Sequence, residues 1–91
     1  MPVVLVPGVL RAEAGGESRL RVDADGSLAA VLDEIGRRWP RLERRIRDEQ
    51  GVLRRYVNVY VDGEDCRRSA GLDTPVPPTA EIQVLPSVAG G

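Results

Sequence analysis

At 91 residues, 42% hydrophobic and 30% charged with a net charge of −1, the chain is bounded to one small domain with one core, and its balance excludes a disordered segment or a polycation that attracts nucleic acid. No apolar run approaches the roughly 20 residues that span a bilayer, and the N-terminus lacks the basic, apolar, small-residue order of a signal peptide, so the expected location is cytoplasmic, without membrane contact. There is no His and one Cys, and all 13 basic residues are Arg, so the chain lacks the parts of a zinc site, a Ser-His-Asp triad, a Cys-His pair or a Schiff-base lysine. No catalytic residue, metal or bound cofactor is expected, and the protein does not read as an enzyme.

The first ten residues hold Val3, Val4, Leu5 and Val6 in succession, a β-branched and aliphatic run that predicts a strand covered on both faces. After the Gly15-Gly16 turn signal, Ser18 to Asp23 alternates Arg19, Leu20, Arg21, Val22, a half-buried strand that hairpins with the first. Asp25-Gly26-Ser27 offers a turn and an N-cap, and Leu28, Val31, Leu32 and Ile35 follow at helical spacing. Pro40 ends that helix near Trp39 and suits the first turn of a second helical segment, where Leu42 and Ile46 continue the spacing to about Glu49. After Gly51, Arg55 to Val61 reads as a strand with Val57, Val59 and Val61 on one side and Tyr56, Asn58 and Tyr60 on the other. Asp62-Gly63 is a hairpin turn. Glu64 to Arg68 is expected as a short edge strand, and Ser69 to Thr79 as loop, with Pro75, Pro77 and Pro78 opposing regular structure. Ile82 to Leu85 forms the last strand.

This order predicts an α+β domain over residues 1–85 followed by a flexible tail over 86–91. Its natural candidate is a β-grasp: a mixed sheet of four to five strands, covered on one face by the main helix and a short second helical segment.

The tail runs Pro86-Ser87-Val88-Ala89-Gly90-Gly91. Two residues without Cβ cannot pack a core but allow a close approach to another surface, which fits a narrow partner channel. In a chain without catalytic side chains, the reactive group is then the α-carboxylate of Gly91. The plainer alternative is a frayed end.

Tyr56, Asn58 and Tyr60, with Leu5 and Leu85 as neighbours, fall on the sheet face opposite the helix. They form a candidate docking surface, weighed against ordinary sheet surface. Arg37, Arg38, Arg41, Arg44, Arg45 and Arg47 form a basic cluster interleaved with Glu43, Asp48 and Glu49. A solvated helix face with local ion pairs explains it better than phosphate binding does. Cys66, on the expected edge strand, reads as a small buried side chain and not as a sulfur-transfer thiol. Trp39 and Ile46 read as core or core-edge residues.

Three stretches carry a resemblance: Tyr56-Val57-Asn58-Val59-Tyr60-Val61-Asp62-Gly63-Glu64-Asp65, then Gly71-Leu72-Asp73-Thr74-Pro75-Val76, then Val84-Leu85-Pro86-Ser87-Val88-Ala89-Gly90-Gly91. With the helix start Asp25-Gly26-Ser27-Leu28, they resemble the MoaD/ThiS family of ubiquitin-like sulfur carriers, most closely its cysteine-synthesis (CysO) branch. Pro77-Pro78-Thr79 departs from the Asp/Gly-rich turn usual there.

The resemblance implies a β-grasp carrier, monomeric when free, whose Gly91 carboxylate is adenylated by an E1-like enzyme using ATP. A sulfurtransferase or other sulfur source then converts it to a thiocarboxylate. The implied acceptor is a cysteine synthase, with a metal-dependent protease releasing cysteine from the extended tail. A molybdopterin synthase large subunit, a thiazole synthase or a thiazole-synthase-like enzyme of secondary metabolism remains open. The chemistry is coherent, because a carboxylate with a pKa of about 3.3–3.7 is ionised and a poor electrophile until activated. Residues 86–91 extend roughly 20 Å at about 3.3 Å each, enough to reach a buried site. The rival reading is a ubiquitin-like modifier joined through Gly91 to lysines of other proteins, and a third is an Arg-dependent nucleic-acid module.

Overall fold

The computed structural model describes residues 1–86. In chain order they form β1 (Val3–Leu5), a 3-10 helix (Gly8–Ala14), β2 (Arg19–Arg21), β3 (Gly26–Ser27), α1 (Leu28–Arg38) and α2 (Pro40–Ile46). There follow β4 (Val57–Val61), β5 (Glu64–Asp65), 3-10 turns at Cys66–Arg68 and Gly71–Asp73, β6 (Pro75–Val76) and β7 (Glu81–Pro86).

The main sheet has the order β2-β1-β7-β4-β5, with β1 and β7 parallel and the other pairs antiparallel. β7 carries the alternation that decides its place: Ile82 and Val84 are buried while Glu81, Gln83 and Leu85 are exposed. Val57, Val59 and Val61 of β4, Val4 of β1 and Leu20 of β2 join them in the core. Against this face α1 sets Leu28, Val31, Leu32 and Ile35, all fully buried, and α2 adds Leu42 and Ile46. A mixed five-stranded sheet with helices on one face is the expected β-grasp.

Local signals act as their chemistry requires. Ser27 caps α1, its hydroxyl accepting from the Ala30 N–H at 3.1 Å, a contact worth about 1 kcal/mol. Pro40 opens α2, where its missing N–H costs nothing. Asp62 and Gly63 both take positive φ, 49° and 86°, as a two-residue hairpin between Val61 and Glu64 demands.

Several expectations are corrected. The first strand ends at Leu5, and its faces differ, with Val4 buried and Val3 and Leu5 only half-buried because no layer covers the far side of the sheet. The strand expected over Ser18 to Asp23 is ordered as β2 only from Arg19 to Arg21. α2 stops at Ile46, not near Glu49, because Asp48 turns the chain by accepting the N–H groups of Gln50 and Val52. The edge strand expected over Glu64 to Arg68 pairs only at Glu64 and Asp65, and Cys66–Arg68 coils into a 3-10 turn capped by the Asp65 carboxylate. The expected loop Ser69 to Thr79 contains a 3-10 turn and β6, which pairs with β3. The last strand includes Pro86, opposite Val57.

Arginine side chains complete the backbone where strands do not. β5 faces only Tyr60 and Val61, so no strand covers the outer side of Val57. There the Arg67 guanidinium donates to the carbonyls of Val57 and Arg54, each at 2.8 Å, and the Val57 N–H donates to that same Arg54 carbonyl. At the opposite edge, Arg38 Nη1 donates to the Arg21 carbonyl at 3.1 Å. Such capping satisfies groups that an open edge leaves unpaired.

Candidate docking face and carrier terminus

The sheet face turned away from the helices gathers the candidate docking residues. β-register sets Asn58 opposite Leu85, and both Tyr60 and Leu5 opposite Gln83, so Leu5, Tyr60, Asn58 and Leu85 share one face across three strands. Leu5, Asn58 and Tyr60 are half-buried and Leu85 is 39% exposed. Tyr56 lies one residue before β4 and is 52% exposed. Beside Leu5 and Leu85 a shallow groove of about 320 Å³ opens, with Gln83, Arg11 and Arg19 on its walls. Leu5, Tyr60 and Leu85 surround the exposed Gln83 on this face, which is charged at the β2 side, where Arg19 meets Glu81 at 3.8 Å.

Of the tail, Pro86 is placed as the last residue of β7. Ser87, Val88, Ala89, Gly90 and Gly91 lie outside the described residues. Central β7, held by β1 on one side and β4 on the other, brings the chain to that point beside the docking face.

The basic cluster resolves into individual roles. Arg37 pairs with Glu34 at 2.9 Å, and this hydrogen bond pulls the Glu34 carboxyl below its ordinary value. Arg38 lies 4.2 Å over the Trp39 ring, which is itself packed on the core edge, and Arg44 pairs with Glu49. Arg47 departs from the expectation of a solvated face. It is buried, with Nε on Glu43 at 2.7 Å and Nη2 on Asp33 at 2.9 Å, tying α2 to α1. Arg41 and Arg45 are exposed.

Cys66 is fully buried, as expected, though on a turn and not a strand. Burial, reinforced by the Asp65 charge, pushes its thiol up from the ordinary value. A thiol so raised is not ionised at neutral pH. Among the described residues no group of three His, Cys, Asp or Glu could hold a metal, and no helix is long and apolar enough to cross a membrane.

Sequence reasoning missed Arg67. Its Nη1 also donates to Asn58 Oδ1 at 3.3 Å, which joins it to the docking face. No local pattern marks it, because its partners are 9 to 13 positions away.

The family model described as the ThiS family matches residues 4–91. The chain is 36% identical over 90 residues to the sulfur carrier protein CysO of Mycobacterium tuberculosis, covering 97% of this chain and 96% of that protein. It is 33% identical over 82 residues to small archaeal modifier protein 1 of Haloferax volcanii, covering 88% and 90%. The fold superposes with a TM-score of 0.90, at 33% identity and over 100% of both chains, on a chain in the crystal structure of the Amycolatopsis orientalis BexX/CysO complex. On this agreement of fold and sequence the chain belongs to the ThiS family: it is a small sulfur-carrier protein of the CysO/ThiS type and not an enzyme.

Proposed function

We propose that the α-carboxylate of Gly91 is the group that carries the sulfur. An E1-like enzyme joins its carboxylate to the α-phosphate of ATP, releasing pyrophosphate. A sulfide-equivalent donor, supplied by a sulfurtransferase or another source, then displaces AMP and leaves a thiocarboxylate for an acceptor synthase. The observation that carries this reading is the family match, which runs unbroken to the Gly90-Gly91 pair behind the central strand. Lack of His and Lys supports it, since neither side-chain catalysis nor an internal lysine acceptor competes with the terminus.

Intact mass after incubation with an E1-like enzyme, ATP and sulfide tests the reading. The expected product has one oxygen replaced by sulfur, and an unchanged mass with a competent activator refutes it.

The acceptor class follows from the relatives. Similarity to CysO favours a cysteine synthase acting on an activated serine, with a metal-dependent protease trimming the extended tail, in the cytoplasm. The related chain found with BexX supports a second protein docking on this fold. Leu5, Tyr56, Asn58, Tyr60 and Leu85 are the surface it meets, with Ser87, Val88, Ala89 and Gly90 threading into its site from Pro86 at the end of β7. Leu85→Asp places a charge in the middle of that face, and is expected to weaken transfer on the order of tenfold or more while the fold survives, as for a central contact. Unchanged transfer by this variant would remove the face from the proposal.

The second reading, a protein modifier, is favoured by the likeness to small archaeal modifier protein 1. Gly91-linked adducts on lysines of other proteins in cell extracts distinguish it from a carrier.

Cys66→Ser separates the terminus from the thiol as the sulfur-bearing group. The variant is expected to lose about 1–3 kcal/mol of stability by burying a hydroxyl, yet load sulfur normally. A raised folded-state thiol pKa also contributes stability below the ordinary thiol range, lost as pH climbs through the raised value. Denaturation midpoints of the wild type should therefore fall in that alkaline window more steeply than those of Cys66→Ser.

A further inference from the structure

The geometry points to Arg67 as a positioning residue for the carrier reaction, setting where the chain leaves the sheet relative to the docking face. This assignment rests on the carrier reading above. Val57 and Pro86 form the last rung between β4 and β7. Antiparallel alternation leaves it without backbone hydrogen bonds, because the Val57 N–H and carbonyl both point to the outer side of β4, away from β7. What fixes Val57 instead is the guanidinium: Nη1 on its carbonyl, Nη2 on the Arg54 carbonyl and Nη1 again toward Asn58 Oδ1. The Arg67 N–H in turn donates to the Asp65 carboxylate, which anchors the turn carrying the side chain.

One side chain therefore holds the start of β4, the amide of Asn58 and, through the Val57 and Asn58 rungs, the positions of Pro86 and Leu85. A planar fork can serve several acceptors at once, whereas a lysine ammonium is a point charge that cannot reproduce the arrangement. A small displacement here shifts Leu85 and Pro86, where the described chain leaves the sheet, relative to the rest of the docking face. Reaction geometry is sensitive to such shifts.

The test measures adenylation kinetics of the full chain with an E1-like enzyme, comparing Arg67→Ala and Arg67→Lys with Arg38→Ala, which removes the guanidinium cap from the opposite edge. The expected result is a KM for the carrier raised roughly tenfold in Arg67→Ala with kcat little changed, as loss of a preset fit would give. Arg67→Lys should recover only part of it, and Arg38→Ala should keep the wild-type KM. If Arg67→Ala does not fold, Arg67→Lys against Arg38→Ala decides by the same KM comparison.

Amide exchange supplies the structural readout: Asn58 and Leu85 should exchange faster in the Arg67 variants alone. Wild-type KM in the Arg67 variants, or an equal rise in Arg38→Ala, overturns the assignment while leaving the carrier reading intact. A wild-type protein that is never adenylated removes both.

Discussion

Deletion of Gly91 is expected to yield a protein that folds normally and acquires no sulfur. Among the described residues the core runs from Val4 to Val84 and closes around α1, α2 and the main sheet without Gly91. Melting curves of the deletion and the wild type should therefore coincide. Chemistry should differ completely on the proposed mechanism, in which the Gly91 carboxylate reaches the nucleotide through a passage narrow enough to favour residues without Cβ, and the shortened chain ends one residue, or about 3.3 Å, too early. Gly90→Val tests the same fit from the side, since its branched side chain widens the thread without shortening it. Normal adenylation of either variant, read by intact mass, would overturn the assignment of the reaction to the terminus.

Ile82→Ala is expected to act in the opposite way, on the body of the protein. Ile82 is fully buried on β7, opposite Val4 of β1 and Val61 of β4, under the helical layer. Truncation leaves a cavity bounded by three strands that cannot collapse independently. The cost should be about 2–5 kcal/mol. Against a total stability of roughly 5–15 kcal/mol for a domain, that is a large share. The denaturant midpoint should fall with an unchanged slope, and loading at low temperature should persist in the fraction that remains folded. A midpoint within experimental error of the wild type would show that β7 is not the pivot of the core.

Elements with internal periodicity were legible in the sequence. The Val57, Val59, Val61 alternation, the spacing of Leu28, Val31, Leu32 and Ile35, the Ser27 cap, the Pro40 start and the Asp62-Gly63 turn each record a local rule, and the structure follows it. Features built from two or three residues were not. β3 and β6 are two residues each, too short to show any period, and Pro75 hides its strand by lacking an N–H while sitting on an edge where none is needed. Cys66–Arg68 reads in the sequence as the rest of a charged edge strand following the Asp62-Gly63 turn, whereas the Asp65 cap bends it into a turn. The candidate docking residues came together because alternation along each strand was enough to choose a face. Arg47 and Arg67 did not declare themselves, since long-range hydrogen bonds from a guanidinium leave no trace in spacing.

The guanidinium caps on Val57 and Arg21 have a bearing on how such a protein behaves in a crowded cell. Small sheets tend to recruit neighbouring molecules along any bare rim, and copies that zipped together edge to edge would be drawn into aggregates. Here arginines occupy hydrogen-bonding positions on both flanks, which discourages self-templating. Size-exclusion chromatography of the free protein is accordingly expected to show a monomer, each molecule free to shuttle its cargo.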